Sequence, residues 1–179
     1  EDFPEMPTVG SDKTIVIDAD IFSEMVKGTI FAVAQNEGAK PILTGIYVTI
    51  EDRILRFVAI DGYRLAIRRH NIDIEGSFSF ILSGRAVGEA VKLIDEETEN
   101  VEISFGDRLV SFNISGYSFI SRLLEGEFVN YQKTIPAEHR QRVVVNTREL
   151  TNTIERVSLL ISESFSTPIR CYFNELNVV

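Results

Sequence analysis

The chain has 179 residues, 44% of them hydrophobic and 25% charged, with a formal net charge of −9. That is enough apolar material for one or two small domains with cores of their own. The acidic balance excludes a protein that grips nucleic acid by overall charge, although a local basic face stays compatible with it. No stretch approaches the roughly 18 uninterrupted apolar residues of a membrane span.

The first residues, EDFPEMP, form neither a signal nor a transit peptide, which makes a cytoplasmic protein the expectation. The chain starts without Met and stops at FNELNVV, inside an apolar run, so both ends read as cut from something longer. The single cysteine, Cys171, sits in IRCYF. It cannot form an intramolecular disulfide, and its apolar setting predicts a small buried hydrophobe rather than a nucleophile.

Residues 13–17 (KTIVI) read as a short strand. Asp18 or Asp20 can cap the helix that follows, because a carboxylate accepts the free N–H groups of a first turn. Phe22, Met25, Val26, Thr29, Ile30 and Val33 recur at helical spacing and mark its inner face. A loop over 35–40 leads to a strand over 41–50, a polar turn at 51–53 and a strand over 54–60. Asp61-Gly62 between two apolar runs signals a hairpin, since glycine tolerates the positive φ of a tight turn, and the next strand covers 63–69.

The order then starts again. A strand over 78–82 precedes a helix capped by Ser83, with Val87, Ala90, Val91 and Ile94 inside. Strands over 101–105, 109–114 and 117–124 follow, joined by turns at Gly106-Asp107 and Ser115-Gly116. Each half is β-α-β-β-β. The fold class is therefore α+β, with duplicated units giving two helices and eight strands in a domain over residues 10–130.

A longer repeat overlies this one. Ile15-Val16-Ile17-Asp18 matches Val143-Val144-Val145-Asn146, and Phe22, Val26, Thr29 and Val33 match Leu150, Ile154, Val157 and Ile161 at one constant offset. Pro41-Ile42 matches Pro168-Ile169 at an offset one residue shorter. Asn146 with Glu149 is close to a capping box. A second, partial domain is expected over 140–179, with a linker over 131–139 and a preceding piece over 1–9. Tandem domains of this kind can close into a ring, because strands pairing across boundaries leave few free edges. A ring holds DNA topologically and needs little direct affinity for it.

Several stretches resemble the bacterial sliding clamp, the beta subunit of DNA polymerase III. Residues 58–66 (VAIDGYRLA) look like the family's V-A-T-D-G-H-R-L-A. Residues 40–45 (KPILTG) look like R-P-V-L-x-G, and residues 121–131 (SRLLEGEFVNY) look like S-R-L-I-E-G-x-F-P-D-Y. EDFPEMP resembles the junction out of the family's first domain, Ile135-Pro136 its following x-P, and residues 155–165 the start of its third domain. Ile60, Tyr63 and Val129 depart from the usual Thr, His and Pro, and the first two border the expected pocket.

The resemblance implies the DNA clamp fold, a ring around duplex DNA, and no catalysis and no cofactor. It implies as partners the polymerase III alpha subunit, the clamp loader and other clamp-binding proteins, each presenting a short peptide. The peptide cleft, between the second and third domains, would be formed by Leu43, Ile60, Gly62, Tyr63, Arg64, Leu65 and Pro136. Leu43 and Leu65 offer an apolar floor, Gly62 lets a backbone approach, and Arg64 can donate to peptide carbonyls or a carboxylate. Family rings close head to tail as homodimers, and Leu159 and Leu160 match that contact; the same pair also reads as helix core, with at least one of the two buried. The fragment itself is not expected to close a ring. Lys27, Arg85, Lys92, Arg148 and Arg156 are the candidates to face DNA, among acids such as Glu24 and Glu89.

Enzymatic readings lack their residues. His70 and His139 do not stand in metal-ligand spacing, and no metal site is expected. Residues 84–88 (GRAVG) lack the Gly-Lys-Ser/Thr ending of a phosphate loop, and residues 95–99 (DEETE) read as a solvated helix end. The alternative to a clamp is a stand-alone peptide-binding scaffold of duplicated α+β domains with no DNA role.

Overall fold

The computed structural model describes residues 9–10, 13–35, 38–160 and 169–172. It divides into two compact units, Glu1–Ile135 and Pro136–Val179. EDFPEMP, Ile161 and Pro168 of the long repeat, and the closing FNELNVV lie outside the described residues.

The first unit contains the two expected β-α-β-β-β halves. The first half is β1 (Lys13–Asp18), α1 (Ala19–Lys27), β2 (Gly45–Glu51), β3 (Ile54–Ile60) and β4 (Leu65–Asn71). The second is β5 (Phe78–Ser83), α2 (Gly84–Lys92), β6 (Asn100–Phe105), β7 (Leu109–Ile114) and β8 (Tyr117–Arg122). The halves exchange their first strands. One antiparallel sheet runs β1-β6-β7-β8 and the other β4-β3-β2-β5. Register sets core residues opposite one another: Ile15 faces Ile103, and Val48 faces Phe57 and Phe80.

One core joins both sheets and both helices. Phe22 of α1 is fully buried with its ring 6.1 Å from both Phe57 of β3 and Phe112 of β7. Phe80 of β5 lies 4.4 Å from Phe105 of β6, which ties the sheets together a second time. Such aromatic contacts add to the transfer free energy of burial. Val87 and Ala90 bring α2 into the same core. Val91 and Ile94, expected inside, are partly buried against it, and Ile94 lies past the helix end.

Four local expectations change. The first helix stops at Lys27 rather than running to Val33. Gly28 follows it, and the Thr29 hydroxyl donates to the carbonyls of Met25 and Val26, ending the helix while Ile30–Ala32 make a short 3-10 turn. The strand expected from residue 41 begins at Gly45, because Pro41 opens a 3-10 turn, Pro41–Thr44, where its fixed φ fits and its missing N–H costs nothing. Ser83 occupies the cap position of α2, yet its side chain accepts no hydrogen bond. By contrast, Asp18 accepts from the backbone N–H of Asp20 and Ile21. Finally, β4 begins at Leu65, so residues 61–64 form the connection from β3.

In the second unit α3 (Thr147–Ser158) is capped as expected, with Asn146 Oδ1 accepting from Glu149 N–H at 3.1 Å. Val143, Val144 and Val145, read as a strand, are not in one. A strand exists only through a paired neighbour, and among the described residues none pairs with them. Cys171 is exposed rather than buried, because no described element packs over it. No helix among the described residues is long and apolar enough to cross a membrane.

Candidate functional site

β3 departs from simple alternation, as β5 does over Phe80–Leu82. Leu55, Phe57 and Ala59 point into the main core, yet Val58 and Ile60 on the opposite face are also buried. Consecutive residues of a strand face opposite sides, so this sheet carries a second apolar face. Val58, Ile60, Ile81 and Phe128 are the buried members of a separate cluster there. Leu43 from the Pro41–Thr44 turn, Leu65 and Ile67 from β4, and Val129 and Tyr131 pack against it, partly exposed. The chain after β8 covers one side, with Phe128 stacked on Tyr47 at 4.7 Å.

The β3–β4 connection lies directly at the end of this cluster, since Ile60 and Leu65 are the register pair that flanks it. Its four residues are held from within. Asp61 N–H donates to the Arg64 carbonyl at 3.3 Å. Asp61 Oδ1 accepts from the backbone N–H of Tyr63 at 3.0 Å and of Arg64 at 3.1 Å. Asp61 Oδ2 accepts from Arg64 Nε at 2.9 Å. Gly62 has φ +91°, and a Cβ there would meet nothing within 4 Å, so glycine is required by conformation and not by space.

The electrostatics follow from these bonds. Burial disfavours the ionised Asp61 carboxyl, but the two backbone donors and the Arg64 guanidinium outweigh it and hold the carboxyl below its ordinary value. Arg64 therefore uses Nε on Asp61, while its terminal nitrogens have no partner among the described residues and its side chain is half exposed. Tyr63 at the tip is 96% exposed, more than any other large hydrophobic residue described.

The cleft residues drawn from the resemblance thus fall into three sets. Leu43, Ile60 and Leu65 join one apolar cluster. Gly62, Tyr63 and Arg64 form the turn at its end. Pro136 is exposed and belongs to the second unit. The sequence reading missed Asp61 as more than a turn residue, and missed Val58, Ile81 and Phe128. An Asp directly before Gly in a tight connection favours an Asx turn, and Asp61-Gly62 carried that signal for the first. The unbroken apolar run of residues 57–60 in β3 was the available signal for a doubly buried strand.

The remaining candidates are scattered over exposed positions. Lys27 ends α1, Arg85 lies in the first turn of α2, and Lys92 pairs with Glu89 at 2.9 Å. Arg148 and Arg156 lie on α3, with Arg156 Nε donating to the Asn152 carbonyl at 3.3 Å. Leu159 and Leu160 are 84% and 88% exposed. Neither is core to the helix, since both follow its last residue, Ser158. Among the described residues no group of three or more His, Cys, Asp or Glu could hold a metal ion.

Comparison with known proteins places the chain. Residues 16–130 match the family model for the DNA polymerase III beta subunit, central domain. The beta sliding clamp of Bacillus subtilis (strain 168) is 31% identical over 172 residues, covering 95% of this chain and 45% of that protein. The chain thus spans about half the length of the curated relatives it matches. A crystal structure of the DNA polymerase sliding clamp from Bacillus subtilis matches with TM-score 0.85 and 29% identity, over 99% of this chain and 50% of that one. The DNA polymerase III beta subunit from Thermotoga maritima matches with TM-score 0.80 and 31% identity, over 89% of this chain and 43% of that one.

Proposed function

The chain belongs to the DNA polymerase III beta subunit family and has the DNA clamp fold, and from that premise we propose that it is part of a sliding clamp, the processivity factor that encircles duplex DNA. The clamp works by topology, without catalysis and without a cofactor, in the cytoplasm. Its whole form is a head-to-tail homodimeric ring in which Leu159 and Leu160 contribute to the subunit contact. Lys27, Arg85, Lys92, Arg148 and Arg156 face DNA and touch phosphates without regard to sequence, which leaves the ring able to slide. Domains divide at residues 1–9, 10–130, 131–139 and 140–179.

The partners, the polymerase III alpha subunit and the clamp loader among them, dock through short peptides on Leu43, Ile60, Gly62, Tyr63, Arg64 and Leu65, with Pro136 in the same role. The observation that carries this reading is the second apolar cluster, which keeps Leu43 and Leu65 partly exposed beside the Arg64 turn. A fold needs only one core, and an apolar face left partly open at a polar rim marks an interaction site. Apolar anchors supply affinity in such a site and Arg64 supplies orientation.

The test is a fluorescence anisotropy titration of the full-length protein. The probe is a short fluorescein-labelled peptide with adjacent Leu and Phe anchors and a free C-terminal carboxylate. Saturable binding is expected, lost on Leu65→Asp with the melting temperature nearly unchanged. Absence of binding, or equal binding by the variant, contradicts the assignment.

A further inference from the structure

Resting on the peptide-site reading above, we infer that Asp61 is the positioning residue of that site: it presents Arg64 as a preset fork for a carboxylate of the bound peptide. The geometry divides the two carboxylate oxygens between two tasks. Oδ1 takes the backbone N–H groups of Tyr63 and Arg64, which fixes the shape of the turn. Oδ2 takes Nε of Arg64 at 2.9 Å, which fixes the direction of the guanidinium. Nε is thereby spent inside the turn, and the two Nη groups are the donors left for a ligand.

A guanidinium engaged through Nε and presenting both Nη groups suits a carboxylate, which accepts two parallel bonds. Fixing it in advance removes part of the ordering cost that a free arginine would meet on binding. The apolar cluster begins one residue away on each side, at Ile60 and Leu65. The ligand chemistry is therefore a peptide with apolar side chains next to a carboxylate, either its own C-terminus or an acidic side chain.

Asp95 is an internal control. Its Oδ1 also accepts a backbone N–H two residues on, that of Glu97, together with the Thr98 hydroxyl, and its carboxyl is likewise held below the ordinary value. No arginine joins that turn among the described residues, and it lies outside the cluster.

The experiment compares the labelled peptide as free acid, as C-terminal amide, and as amide with a terminal Asp, on the full-length protein. Asp61→Asn keeps an Oδ1 acceptor for the two backbone donors, but its amide cannot accept from Arg64 Nε. The wild type is expected to prefer the free acid or the Asp peptide over the plain amide, and which of the two distinguishes a C-terminal from a side-chain carboxylate. Asp61→Asn should weaken the carboxylate peptide by about three- to tenfold, the range of the cost of ordering one long side chain on binding. It should leave the plain amide unchanged, and add nothing in an Arg64→Met background. Asp95→Asn should change none of the affinities. Carboxylate preference that survives Asp61→Asn overturns the role of Asp61, as does equal weakening of all three peptides, which a merely structural turn would give. Equal affinity of the wild type for all three overturns the carboxylate chemistry. No binding by the wild type overturns the site itself, and the inference with it.

Discussion

The two sheets of the first unit are built from the same element order but finished differently on their outer faces. On the β1-β6-β7-β8 sheet the outward residues include Thr14, Glu102, Ser104, Ser111 and Asn113, tied by cross-strand bonds such as Thr14 to Ser104 at 2.9 Å and Asn113 to Glu102 at 3.3 Å. On the β4-β3-β2-β5 sheet the outward residues include Tyr47, Val58, Ile60, Leu65, Ile67 and Ile81. A solvated antiparallel face keeps clean alternation, and an apolar outer face needs a cover. Residues 124–131 cover one part and leave Leu43 and Leu65 partly open. The duplicated scaffold is thus common to both halves, and the proposed peptide site lies where the two outer faces differ.

The largest expected effect lies in the core that both sheets share. Phe22→Ala removes the ring that touches both sheets and should destabilise by about 3–5 kcal/mol, measured by urea unfolding. A cost under about 1 kcal/mol would mean that the sheets are held together elsewhere.

The outer faces should separate in binding rather than stability. Leu65→Asp is expected to lower peptide affinity by at least about tenfold, the loss of one good apolar anchor. Ser111→Asp, on the polar face, should change affinity by less than about twofold, as surface substitutions away from a site do.

The helix caps distinguish the halves next. Asp18→Ala removes two backbone bonds at the start of α1 and should cost about 1 kcal/mol in thermal or urea unfolding. Ser83→Ala removes none and should cost no more than about 0.5 kcal/mol. Equal costs would contradict the asymmetry.

The smallest effect is in acid. The folded Asp61 carboxyl is held below its ordinary value of 3.8. Its contribution to stability is complete above that value and is lost as pH falls through the lower folded value. Asp61→Asn should therefore flatten the dependence of melting temperature on pH below about pH 4 and leave the neutral range parallel to wild type. An unchanged acid limb would show that the turn bonds do not discriminate the ionised form.

Much of this was legible in the sequence for simple reasons. The succession of elements along the chain, the caps at Asp18 and Asn146, and the turns at Asp52-Arg53 and Ser115-Gly116 depend on near neighbours, and those leave patterns of short period. The errors arose where one local preference overrode another. Helical spacing continued past Gly28, but the Thr29 hydroxyl ended the helix. Apolar alternation began at Pro41, but the proline ring set a 3-10 turn first. Ser83 had the residue type of a cap without its bond. The site was only half visible. Ile60 and Leu65 meet across one connection, but Leu43 lies well before them in a 3-10 turn and joins them only through tertiary packing, which periodicity does not encode. The family resemblance groups them, whereas the bond from Arg64 Nε to the second oxygen of Asp61 is visible only in the structure.

We propose that partner peptides dock on the outer face of the β4-β3-β2-β5 sheet and its β3–β4 turn. Amide chemical-shift mapping of the isotopically labelled protein during titration with the Leu-Phe carboxylate peptide tests it most directly. Saturable shifts are expected at Leu43, Ile60, Gly62, Tyr63, Arg64 and Leu65, with Thr14, Glu102 and Ser111 unmoved. Shifts confined to the β1-β6-β7-β8 face, or saturation without movement in residues 60–65, would contradict it.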